Sequence, residues 1–303
     1  RTAYSYNNAG FVLTGYVLQL IGDKPYEQLV QEMIFEPLGM NNSTFGALDV
    51  MVKRFAVGHH IREEGPKVVT PWHLSRGINA AGGIVSTVGD LLRYAQFQMG
   101  DGTTEEGTRL LSVENMREMQ AEQVSIWGSA GWTLGWAFDD GQGVLRLSHG
   151  GGTNGQISHL MFAPERQLAF CILTNAGTYL TSTILEWVQH EYMGLQLSDP
   201  VPLVEQPDYA EYTGVYARNM VTYEFQQTAD GLQMQDTPML GFPAGTDPRP
   251  TPPPSTVAFH EPDGIVILGD APYAGQTAHF LRDESGAVYG FRFGGRVNVK
   301  AKV

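Results

Sequence analysis

Cysteine is nearly absent from this 303-residue sequence, in which Cys171 stands alone. One thiol excludes an internal disulfide framework, and the apolar run around it predicts a buried, unreactive side chain. Long apolar runs are missing too. No stretch of about 18 apolar residues occurs, so no membrane-spanning helix is expected. Positive charge is scarce: 19 Lys and Arg face 32 Asp and Glu, a formal net charge of −13. Nucleic acid and anionic membranes attract basic surfaces, so neither is expected as a partner. The sequence opens on Arg1 rather than Met, and its first residues do not read as a signal peptide. Motif-like residues appear within the first ten positions, and this abrupt start leads us to expect truncation, processing or a partner chain carrying a further part. The compartment stays open.

Patterns for common cofactors are missing as well. The glycines around Gly150 to Gly155 lack the Gly-Lys-Ser/Thr ending of a phosphate-cradling loop. No His-Glu-x-x-His or paired-cysteine pattern exists, and the adjacent His59 and His60 would point to opposite faces of an extended chain. Asp139-Asp140 before Gly141 reads as a turn and gives calcium little support. No cofactor and no metal is therefore expected, and the remaining histidines are assigned solvated or structural roles.

What is present fits a folded chain of one large domain or two, with 42% apolar and 17% charged residues. Apolar periodicity and cap signals predict helices over 8–21, 26–35, 88–99, 112–121 and 180–192. Strand-like segments at 144–148, 157–162 and 168–174 have short connectors that suit an antiparallel meander. Trp72, Trp127, Trp132 and Trp136 fall in or beside expected loops, where they would line a cleft or pack in the core. Residues 199–208 carry three prolines and read as a linker. From 209 to 303 apolar alternation is punctuated by Asp230-Gly231, Asp263-Gly264 and Ser285-Gly286, which are hairpin-turn signals. A small all-β barrel or sandwich is expected there, with the Pro-rich tract 243–254 as a long extended loop.

Two short motifs carry chemistry. Tyr6-Asn7-Asn8 places a Tyr-x-Asn triplet directly before the first helix, and His149-Gly150-Gly151-Gly152 heads a small-residue strand. A phenol with a pKa of about 10 is a poor base unless nearby cations favour the phenolate. Glycines let an extended substrate lie against a strand edge, and a histidine near pKa 6.5 offers a hydrogen bond or a charge. Taken singly, Tyr6 reads as an aromatic capping a helix start and His149 as incidental to a Gly-rich hairpin. Their order, followed by two strands and a helix, favours the chemical reading.

On these residues the chain resembles the serine hydrolases that share the β-lactamase and penicillin-binding-protein fold. Class C β-lactamases, D-alanyl-D-alanine carboxypeptidases, D-amino-acid amidases and β-lactamase-like esterases belong there. The resemblance covers residues 1–195, with further family-like phrases at Ala81-Gly82-Gly83 and Leu134-Gly135-Trp136. It implies an α+β fold over 1–198, an antiparallel sheet flanked by helices, and acyl-enzyme chemistry on small ester, amide or peptide substrates. It also implies Tyr6 as acid/base and Asn8 as the residue orienting the substrate amide. His149-Gly150-Gly151 corresponds to the family's Lys/His-Thr/Ser-Gly triplet, and the Gly152 N–H to its strand-side oxyanion donor.

The departures are informative. The family nucleophile sits in a Ser-x-x-Lys motif upstream of the tyrosine, and this sequence contains none. Histidine in place of lysine at position 149 points toward carboxypeptidases, amidases or esterases. Gly150 removes a hydroxyl that usually binds a substrate carboxylate, which counts against penicillins. Residues 209–303 resemble the lipocalin-like domain appended to many such hydrolases. Two readings stay open. One is a serine hydrolase whose nucleophile lies upstream or on a separate N-terminal fragment, so that this chain alone is inactive. The other is a non-catalytic binding or regulatory member.

Overall fold

The structure is a computed structural model that describes residues 3–62, 64–177, 180–241, 248, 250–269 and 273–301. The chain forms two compact units. The first covers Asn7–Leu197, and the second joins the described residues before Asn7 to those from Ser198 onward. Two hydrogen bonds link the described residues before Asn7 to the barrel. The Tyr6 N–H donates to the Gly295 carbonyl at 2.9 Å, and Ser5 Oγ accepts from the Val297 N–H at 3.2 Å.

The first unit opens with α1 (Asn8–Gly22), whose first turn is capped by Asn7 Oδ1 accepting from the Ala9 N–H at 2.9 Å. Among its described residues α1 buries Gly15, while Leu13, Leu20 and Ile21 stand exposed. The helix expected at 26–35 begins as α2 (Tyr26–Val30) and continues as a π-helical turn, Gln31–Phe35. Short elements follow: β1 (Thr44–Phe45), α3 (Ala47–Met51), the hairpin β2 (His59–Arg62) and β3 (Gly65–Val68), and α4 (Asn79–Gly82). Strand β4 (Ile84–Val85) pairs with β1. Helix α5 (Val88–Gln98) starts where Thr87 Oγ1 accepts from the Asp90 N–H, and α6 (Val113–Gln120) where Ser112 does the same for Asn115.

A six-stranded antiparallel sheet follows, in the order β10-β9-β8-β7-β6-β5. Its strands are β5 (Val124–Trp127), β6 (Ala130–Trp132), β7 (Ala137–Asp139), β8 (Arg146–Thr153), β9 (Gln156–Ala163) and β10 (Leu168–Thr174). The period of two decides what each face covers. Leu160 and Phe162 of β9 join Leu147, Trp136 and Ala95 of α5 in one cluster. Met161 and Ala163 join Val144, Val188 and Met193, the last two from α7 (Leu180–Met193). The sheet is therefore held between α5 and α7. Cys171 on β10 is half-buried, and burial pushes its thiol up to about 11, as an unreactive side chain requires.

The second unit is a closed barrel rather than a sandwich. Strands β11 (Gly214–Arg218), β12 (Val221–Thr228), β13 (Gly231–Pro238), β14 (Ser255–Glu261), β15 (Gly264–Ile267), β16 (Thr277–Arg282), β17 (Val288–Phe293) and β18 (Arg296–Lys300) pair in sequence, and β18 returns to β11. Closure removes the open edges that a small sheet would expose. Inside, Tyr216, Phe225, Phe259, Phe280 and Phe291 are fully buried, with ring centroids of Phe225 and Phe291 4.8 Å apart. The expected turn at Asp263 has the left-handed φ of 58° that such a hairpin needs. Part of the expected linker docks on the barrel: Leu203 N–H donates to the Phe259 carbonyl, and Phe259 N–H donates to Gln206 Oε1. Residues 242–247 and 249 of the expected Pro-rich loop lie outside the described residues.

Candidate active site

Strand β8 carries Ser148-His149-Gly150-Gly151-Gly152-Thr153, and it is paired unequally. Against β9 it is paired along its length, from Leu147↔Phe162 to Thr153↔Gln156. Against β7 it is paired only at Arg146, Leu147 and Ser148. From His149 onward, among the described residues, no strand pairs with β8 on that side. Gly150, Gly151 and Gly152 are exposed there. A backbone edge of this kind, without side chains to obstruct it, leaves room for a further extended segment to pair as an added strand.

His149 sits where the pairing ends. Its ring meets Trp132 edge-on, with centroids 5.6 Å apart and planes at 75°. Leu160 lies opposite it on β9. Burial lowers the His149 pKa, and a backbone hydrogen bond involving Gly150 opposes that only in part. The imidazole is therefore neutral near pH 7 and can donate or accept a hydrogen bond, whereas a lysine at this position would supply a fixed charge. On the opposite face, across from Gly150, stands His159. Its pKa is lowered by burial and then by His149, and its Nε2 is buried without a hydrogen-bond partner among the described residues. Sequence reasoning gave His159 a solvated or structural role; only the β8–β9 register places it beside the glycine strand.

The turn that ends β8 is anchored to a second layer of chain. Asn154 is buried, and its Nδ2 donates to the carbonyls of Pro71 and Trp72 at 3.0 and 3.3 Å. Gly155 has a φ of 70°, and its carbonyl accepts from the His59 N–H at 3.2 Å. A Cβ at Gly58 would overlap the Asn154 carbonyl oxygen, so only glycine permits this approach. Beside the turn lies a small open cleft of about 50 Å³, lined by Thr153, Gln156, Trp72, Asn79 and Gly83 among others. The phrase Ala81-Gly82-Gly83 thus reaches the cleft through its two glycines. Asn79 is held from behind: its Nδ2 donates to Glu27 Oε1 at 2.8 Å, and the Arg76 fork on the same carboxylate lowers Glu27 to about 2.

The tryptophans divide between roles. Trp72 lines the cleft, Trp132 supports His149, and Trp136 is buried against Phe162 at 4.9 Å. Asp139 forms an ion pair with Arg146 at 2.7 Å and accepts from Ser129 Oγ and the Gly141 N–H.

Of the residues singled out in the sequence, His149, Gly150, Gly151 and Gly152 share one strand, and Asn8 opens α1 of the same unit, exposed. Tyr6 belongs to the second unit, half-buried, with the Arg296 guanidinium 5.4 Å from its ring centroid.

A sequence model of the family described as Beta-lactamase matches residues 1–191. The chain belongs to the β-lactamase family. It is similar to "Penicillin-binding protein 4" of Amycolatopsis lactamdurans, with 27% identity over 72% of this chain and 60% of that protein. It is also similar to the "D-alanyl-D-alanine-carboxypeptidase/endopeptidase AmpH" of Escherichia coli, with 25% identity over 57% of this chain and 45% of that one. Among solved structures, SurE superposes with a TM-score of 0.73 at 24% identity, covering 99% of this chain and 69% of SurE. This β-lactamase-family chain spans less than two thirds of the length of these two curated relatives. The family is one of serine hydrolases, and the open glycine edge of β8 lies inside the matched region.

Proposed function

We propose that the protein is a serine hydrolase that acts through an acyl-enzyme on small esters, amides or D-amino-acid peptides. The nucleophile, in a Ser-x-x-Lys motif, is proposed to lie outside these 303 residues, so that this chain alone is inactive. The open edge of β8, with a neutral His149 at its head, carries the reading. An extended substrate pairs with this edge and presents its scissile carbonyl to the Gly152 N–H, which stabilises the oxyanion. The serine Oγ bonds to the carbonyl carbon while its proton passes to the Tyr6 phenolate, a form favoured by the lysine of the proposed motif, and Tyr6 returns it to the departing alcohol or amine. Water then cleaves the ester by the reverse sequence of proton transfers. Asn8 orients the substrate amide. His149, neutral and braced by Trp132, supplies a hydrogen bond rather than a permanent charge.

This chain spans 60% and 45% of the two relatives, so each holds sequence that has no counterpart here. The apolar side chains that α1 exposes support the assignment of the nucleophile, because a surface of Leu13, Leu20 and Ile21 is one that a further segment would bury.

The test uses the chain joined to its upstream segment and a panel of p-nitrophenyl esters and D-amino-acid amides. Tyr6→Phe is expected to lower kcat by about 10²- to 10⁴-fold, the usual range for a lost general acid/base. Undiminished kcat in Tyr6→Phe would remove that residue from the mechanism.

A further inference from the structure

We propose that His260, Glu261 and His279 form a binding site in the barrel for a divalent transition-metal ion such as Zn²⁺. The site stands apart from the hydrolase reading and does not depend on it. One ligand atom from each residue lies within 4.8 Å of those of the other two. Glu261 Oε1 is 3.5 Å from His260 Nε2 and 3.8 Å from His279 Nε2. A tetrahedral zinc with bonds of about 2.0–2.1 Å holds its ligand atoms roughly 3.4 Å apart, so small side-chain rotations complete the geometry. Two imidazoles and one carboxylate also match the donor set of sites that keep a fourth position open.

Barrel register builds the cluster. Strand β14 shifts its pairing with β15 between Phe259 and Glu261, which leaves His260 as the extra residue of a bulge. Strict alternation would send His260 and Glu261 to opposite faces, and the bulge brings both to one side. Across the strands, Glu261 lies opposite Gly264, and Gly264 opposite His279. A Cβ at Gly264 would come 2.5 Å from Glu261 Cγ, so the glycine clears the space through which the carboxylate reaches His279.

The chemistry of the three groups fits a cation. His260 Nε2 is buried and has no hydrogen-bond partner among the described residues, which is costly unless something binds there. Arg292, opposite His279 on β17, opposes a cation, and the Glu261 carboxylate offsets it. The sequence concealed this set because His260 and Glu261 are adjacent and His279 lies on another strand, a spacing outside the familiar zinc patterns.

Calorimetry on the full, chelator-treated chain tests the proposal with Zn²⁺ as titrant. One bound equivalent is expected, weakened at least tenfold in Glu261→Gln and abolished when His260→Ala and His279→Ala are combined, with His59→Ala unchanged. Equal stoichiometry and affinity in the double variant, or no binding by the parent chain, would overturn it. Anomalous scattering from crystals of the unmutated chain soaked in Zn²⁺ gives a reading that no variant's folding can confuse. A peak bonded to all three side chains is expected, and zinc found only elsewhere would refute the site.

Discussion

Trp132 meets His149 edge-on at the point where β8 loses its β7 partner, with ring centroids 5.6 Å apart. The indole shields one side of the imidazole from water, and that shielding is part of the burial that lowers its pKa. Trp132→Ala admits water to the ring. The His149 pKa is then expected to rise toward the ordinary value of about 6.5, read by NMR titration of the imidazole protons. An unchanged or lower pKa would show that the shielding comes from elsewhere.

Stability should carry the same signature. Burial lowers the pKa of both His149 and His159 in the folded chain, while the unfolded chain keeps ordinary values. Below about pH 6.5 the unfolded state therefore binds more protons, and stability falls as the pH drops through and below that value. Each ring contributes at most about 1.4 kcal/mol per pH unit. Thermal melts between pH 7.5 and 5 are expected to show a shallower loss for His149→Gln than for the parent. A slope unaffected by the substitution would contradict the burial of this ring.

The anchoring of the β8–β9 turn predicts a graded pair of substitutions. Asn154→Ala leaves the Pro71 and Trp72 carbonyls without their side-chain donor, at a cost of about 1–3 kcal/mol. Gly58→Ala is expected to be worse, because the atom it meets is backbone and cannot step aside. Gly77→Ala, where a Cβ meets nothing, serves as the control. Chemical denaturation orders the three, and an Asn154→Ala midpoint equal to the parent's would show that the turn is held by other contacts.

Strands β8, β9 and β10 were legible in the sequence because short apolar runs such as Leu160-Met161-Phe162-Ala163 are separated by short connectors. The extension of β8 through Gly150 to Thr153 was hidden, since glycine carries no strand signal of its own. Strands β5, β6 and β7 were hidden as well. They run three or four residues each, and Trp127 and Trp132 read as easily in loops. The all-β character of the second unit followed from its alternation and its Asp-Gly turns, yet closure depends on Tyr216 pairing with Lys300, which no local pattern announces. The same limit applies to the site. The His149-Gly150-Gly151 phrase is local and was found, whereas His159 beside it and the grouping of Tyr6 with Gly295 arise from contacts distant in sequence.

Labelling with a fluorophosphonate probe, scored by mass spectrometry, tests the central claim most directly. That claim is that the substrate edge and the proton-handling groups are present in these 303 residues while the nucleophile is not. The chain as it stands is predicted to remain unlabelled, and the chain joined to its upstream segment to take one label on the serine of a Ser-x-x-Lys motif. Stoichiometric labelling of any serine within the 303 residues would contradict the account.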